Sequence, residues 1–117
     1  MPVDLEIPCK VSKVEKSELP RTRIYKCKPG KGSGYIVFDL HEDLFFAGAG
    51  RSLSISLKDR KPSNLDDYQF CGKALKVQKT DDKAIYSIGG YILKIEDYKS
   101  IIGEEDLGDE IYFCIKT

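Results

Sequence analysis

Apolar and polar residues alternate with a period of two along most of the chain, and no stretch keeps the spacing of a long amphipathic helix. Leu5, Ile7, Cys9 and Val11 alternate with polar neighbours before Val14 breaks the phase, which predicts one strand with a bulge. Pro8 has no amide to donate, so this strand is expected at a sheet edge or irregular at that point. Residues 21–28 predict a second strand, ended by the turn-rich Pro29-Gly30-Lys31-Gly32-Ser33-Gly34. A third strand follows at 35–40, with Ile36, Phe38 and Leu40 on one face. Residues 41–50 predict a loop or a single helical turn whose Leu44, Phe45 and Phe46 plug one end of a barrel.

The cleanest alternation sets Leu53, Ile55 and Leu57 against Ser52, Ser54 and Ser56, the mark of a strand with one wet face. After a polar connection at 59–66, residues 68–79 predict a long strand in which Gly72 marks a bend or bulge. Asp81-Asp82 predicts a hairpin turn into a strand at 84–88, Gly89-Gly90 interrupts it, and Tyr91, Leu93 and Ile95 restart the alternation. A helical turn over 97–102 closed by Gly103, an acidic stretch from Glu104 to Glu110 and a last strand at 111–116 complete the pattern. About eight short strands in 117 residues predict an all-β fold, a closed or nearly closed antiparallel barrel, because closure removes the edges that an open sheet exposes. No repeat or linker divides it, so residues 1–117 read as a single domain.

Composition narrows the function classes. Nineteen basic residues balance nineteen acidic ones at a net charge of zero, which argues against a strongly basic nucleic-acid binder and against a disordered polyanion. The apolar runs fall far short of a bilayer span and no export signal is legible at the start, so a soluble cytoplasmic protein is expected. One His, no Trp and one Met leave few groups for acid–base work, which disfavours an enzyme. Asn64, Gln69 and Gln78 are the only side-chain amides, a bias associated with thermophiles. The neutral total conceals +4 over residues 1–34, +1 over 35–95 and −5 over 96–117, a polarity suited to orienting the molecule on a protein partner.

Candidate chemistry is sparse. Cys9, Cys27, Cys71 and Cys114 form no CxxC or Cys/His cluster that would close a zinc site, so buried free thiols are expected. A disulfide, as found inside hyperthermophile cells, stays open as an alternative without a readable pairing. Gly30-x-Gly32-x-Gly34 and Gly48-Ala49-Gly50 resemble pieces of phosphate loops but lack the GxxxxGK[ST] context, which favours turn glycines. His41 with Cys71 would make a nucleophilic pair, yet nothing supplies the third, orienting group. The carboxylates at 104–110 show no metal-loop spacing and read as a solvated or protein-contacting segment. Arg21, Arg23, Tyr25, Lys26 and Lys28 form a small basic and aromatic stripe of the kind that single-strand binders use. Pro8 or Gly89-Gly90 could also leave a strand edge open to a partner's strand.

In the second half of the chain, Asp67-Tyr68-Gln69-Phe70-Cys71-Gly72-Lys73, the hairpin Ile85-Tyr86-Ser87-Ile88-Gly89-Gly90-Tyr91-Ile92-Leu93 and the closing Ile111-Tyr112-Phe113-Cys114-Ile115-Lys116 together resemble the RNA polymerase subunit 8 family. The first half fits more loosely, through Cys9 to Glu15, Arg21 to Lys28 and Leu53 to Leu57. Being short, the chain looks like the archaeal form of that family, the polymerase's G subunit. The resemblance implies a barrel of the oligonucleotide/oligosaccharide-binding (OB) type without catalytic site or cofactor. It implies docking on the periphery of the largest polymerase subunit near its pore and funnel, and a role in assembly and stability of the enzyme. Gly89, Gly90, Tyr91 and Leu93 are the expected partner surface, because glycines permit close backbone approach and tyrosines favour interface cores. The alternative is a free-standing OB-fold module for single-stranded nucleic acid, with Arg21, Arg23, Lys26 and Lys28 as its contacts.

Overall fold

The structure, a computed structural model, describes residues 4–103 and 107–117; Glu104, Glu105 and Asp106 of the expected acidic stretch lie outside the described residues. Eight strands form: β1 (Asp4–Lys16), β2 (Thr22–Pro29), β3 (Ile36–His41), β4 (Ser52–Lys58), β5 (Phe70–Lys79), β6 (Lys83–Ile88), β7 (Tyr91–Glu96) and β8 (Glu110–Lys116). They close in the order β1-β2-β3-β7-β6-β5-β8-β4, with β4 returning to β1 and every neighbour antiparallel, an OB-type barrel. Among the described residues a 3-10 turn at Leu65–Asp67 and one short helix, α1 (Tyr98–Ile102), accompany it.

Alternation places the core. Ile7, Tyr25, Phe38, Ile55, Tyr86, Leu93, Phe113 and Ile115 point inward and are buried, so the barrel is filled with side chains. Tyr25, Phe38, Phe45 and Phe113 pack their rings with centroids 5.1–5.9 Å apart at the centre.

The two ends are closed by different means. Beyond β3, Phe45 turns into the barrel against Tyr25 and Phe38, and the Tyr25 hydroxyl donates to the Phe45 carbonyl at 3.3 Å. The expected three-residue plug reduces to Phe45 and Ala47, because Leu44 and Phe46 stand exposed and Arg23 covers the Phe46 ring. β7 runs antiparallel to β3, so the helix that follows it caps the other end, burying Tyr98, Ile101 and Ile102.

The phase break in β1 is a bulge between Val11 and Lys13 in its pairing with β2. β1 is not a sheet-edge strand, because it pairs with β2 on one side and β4 on the other. Pro8 fits there because its carbonyl faces β2 and accepts the Gly30 amide at 3.0 Å, one residue past the end of that strand. Its missing N–H points the same way, toward Gly30 just past the end of β2, so the proline forgoes at most one bond at the end of that ladder. In β5 the bulge lies between Lys76 and Gln78, at Val77. Gly72 stays in register with Phe113, and an added Cβ there would meet Ile88 at 2.6 Å, so this glycine makes room for packing and does not bend the strand.

Candidate functional site

The β6–β7 hairpin turns on two residues, Gly89 and Gly90, with Ile88 paired to Tyr91 across it. Their φ values of 58° and 101° are those of a type I′ turn, whose hand matches the twist of the flanking strands. A Cβ on either glycine would touch nothing within 4 Å, so the glycines serve the turn conformation and leave its outer surface clear. Tyr91 is half-buried against the core. Leu93 requires correction as a contact residue: it is 0% exposed inside the barrel and holds the hairpin from below. Its neighbour Ile92 faces outward instead, 42% exposed. The Ile92 amide donates to Asp39 Oδ1 at 2.5 Å, which extends the short three-pair seam between β3 and β7.

The basic stripe does not assemble into one groove. Arg21 binds Glu42 at 2.7 Å and Asp43 at 3.4 Å, and its hydrogen bond holds the Glu42 carboxyl below its ordinary pKa. Arg23 lies over the Phe46 ring at the barrel mouth. Lys26 and Lys28 are brought together, both over the Tyr35 ring at 4.2 and 5.0 Å, and Lys28 also donates to the carbonyls of Gly32 and Gly34. Tyr25, the aromatic member of the stripe, is fully buried and cannot stack on a base. The four cations therefore split between two places.

The thiols also depart from expectation. Cys71 on β5 and Cys114 on β8 stand opposite each other in register and form a disulfide. That corrects the expectation of four free thiols and removes Cys71 as a nucleophile for His41. His41 instead accepts the Asp43 amide at Nδ1, 3.1 Å away. Cys9 and Cys27 remain free and buried, and burial pushes both thiols up to about 12. Thiols so protonated are poor nucleophiles.

Neither glycine cluster is a phosphate cradle. Gly32 and Gly34 let the β2–β3 turn lie directly on the end of β7 and on α1, where a Cβ on Gly32 would come within 2.6 Å of the Ser100 carbonyl and one on Gly34 would overlap the Glu96 carbonyl. The Ser33 amide donates to Ser100 Oγ and its hydroxyl to the Asp97 carboxylate in the same contact. Gly50 donates to the Val11 carbonyl at 2.7 Å, joining its loop to the β1 bulge. Among the described residues no group of His, Cys, Asp and Glu could hold a metal ion, and no helix is long and apolar enough to cross a membrane.

Sequence reasoning overlooked the outward aliphatic residues Leu75, Val77 and Ile92, which are among the most exposed large apolar side chains. The signal was present: Ile92-Leu93 and Ala74-Leu75 are adjacent apolar pairs, and in a strand one member of each pair must face out. The family described as the G subunit of DNA-directed RNA polymerase matches residues 4–117 of this chain. No curated protein matches it.

Proposed function

From the premise that the chain belongs to the family of the DNA-directed RNA polymerase G subunit, we propose that it acts as a non-catalytic assembly subunit, docked through the β6–β7 turn on the periphery of the largest subunit near its pore and funnel. The family itself makes the chain a component of the transcription enzyme. A cytoplasmic location and an archaeal, heat-adapted source accord with this reading.

The observation that carries it is the barrel's closure. Each of the eight strands has a neighbour on both sides, so no whole strand is left for strand addition, although Phe70–Ala74 of β5 pairs with β8 alone; this favours a partner met by side chains and turns. The Gly89-Gly90 turn is exposed and clear of neighbours, which suits close approach of another backbone. The dispersal of Arg21 and Arg23 away from Lys26 and Lys28 weighs against the free-standing nucleic-acid module.

Reconstitution with the other polymerase subunits tests the docking turn. Gly89→Asn, tolerated by the left-handed backbone, and Tyr91→Ala should each lower recovery with the largest subunit by about tenfold while the barrel stays folded. Recovery at wild-type yield by folded variants would move the docking site elsewhere. Recovery should also survive high salt, whereas binding driven by phosphate contacts falls steeply as salt rises.

A further inference from the structure

We infer that the outward side of β2, β3, β7, β6 and β5 is a docking face for an apolar, carboxylate-bearing segment of another polymerase chain, an inference that rests on the reading of this chain as a docked subunit. The exterior of the barrel has two unlike sides. On β1, β4 and β8 the outward positions Glu6, Lys10, Ser52, Ser54 and Lys116 are polar, while the outward Ser56 and Cys114 are covered by the chain itself. On the other five strands Ile24, Val37, Leu75, Ile85 and Ile92 take outward positions. Leu75 is 50%, Val77 63% and Ile92 42% exposed, so much of their apolar surface is left open by the described chain.

Register gives this surface a shape. Leu75 pairs with Ser87 and Ser87 with Ile92, so a small residue lies between two large ones and the row dips across β5, β6 and β7. Val77, the unpaired residue of the β5 bulge, is exposed close by in the chain. The surface continues over β3 and β2 to β1 as a groove of about 210 Å³ with Ile24 and Val37 at its floor and Lys13, Lys26 and Lys94 with Glu15 and Glu96 around them. At the other end it runs into the exposed Gly89-Gly90 turn, making one continuous face.

The charges select the occupant. Lys73, Lys83 and Lys94 stand on the outward faces of the same strands. Lys73 and Lys94 each reach one carboxylate at the surface, Glu110 at 3.0 Å and Glu96 at 3.3 Å, in solvent-exposed pairs that can be shared or exchanged. An apolar segment flanked by Asp or Glu satisfies both the aliphatic centre and its basic rim. A second copy meeting the same patch about a two-fold axis would set one excess of lysine over carboxylate against an identical excess. A nucleic-acid strand would find one ring, Tyr35 beneath Lys26 and Lys28, and otherwise aliphatic side chains where its bases need rings.

The test uses the full chain assembled with the remaining polymerase subunits. Leu75→Glu combined with Ile92→Glu should lower retention in the complex at least about tenfold, while Ser54→Glu on the opposite side is retained as wild type. Lys73→Glu with Lys83→Glu and Lys94→Glu should weaken retention most at low salt, where charge steering is strongest. Should the Glu pair fail to fold, Leu75→Ser with Ile92→Ser takes its place. Wild-type retention of folded face variants, alongside a retained wild type, would overturn the docking face and leave the subunit reading standing. A wild-type chain that is itself not retained would overturn that reading and this inference with it. A dimer of the isolated chain that Leu75→Glu disperses would assign the face to self-association and overturn the heterologous contact.

Discussion

At the level of single residues, burial decides which groups are chemically available. Cys9 and Cys27 occupy inward positions on β1 and β2, and their thiols are held protonated by the absence of solvent around them. The native protein should therefore react with an alkylating reagent very slowly at pH 8. Denaturation without reduction should expose two thiols per chain, and denaturation with reduction four, as counted by mass. Rapid modification of the native chain would contradict this. The same shift has a linkage consequence, since an acid whose pKa is raised by folding loses protons first in the unfolded chain. The stability these thiols contribute is complete below the unfolded value near 9 and is lost as pH rises toward about 12. Residue identity alone also mislocated Leu93: its phase with Tyr91 and Ile95 was legible in the alternation, and that phase is the inward one.

Elements are set by where the chain must come close to itself. The β2–β3 turn reads in sequence as a glycine loop, but Gly32 and Gly34 are required because the turn lies against the carbonyls of Ser100 and Glu96. A Gly34→Ala variant would place its Cβ inside the Glu96 carbonyl's van der Waals radius and should destabilise the protein by about 2–3 kcal/mol in urea unfolding. Gly48→Ala, in open space, should change stability by less than about 0.5 kcal/mol. Equal effects at both positions would show that the close approach is absent in solution. The bulge in β1 could be read from the sequence because Val14 breaks a clean alternation. The bulge in β5 could not, because apolar and polar residues around Val77 suit either register, and Gly72 offered a stronger but misleading cue.

Over the whole molecule, closure joins segments far apart in sequence. The Cys71–Cys114 bond ties the first strand of the second half to the last, across 43 residues. On the chain-entropy account a loop of that length is worth about 4 kcal/mol, so Cys71→Ala with Cys114→Ala should lower unfolding stability by up to that amount. A double variant as stable as the wild type would show that the barrel needs no such tie. Closure also reworks the charge asymmetry. Asp109 and Glu110 from the acidic end pair with Lys76 and Lys73 of β5, so part of the −5 is cancelled locally and does not confront the basic start of the chain. Strand existence, the all-β class and most inward faces were determined by the sequence itself, because period two is a local property written in successive side chains. The disulfide pairing, the plug reduced to Phe45 and Ala47, and the separation of the exterior into a polar and an aliphatic side were decided only by tertiary structure. Each depends on which strands become neighbours and in what register, and those are relations between residues that no local pattern encodes.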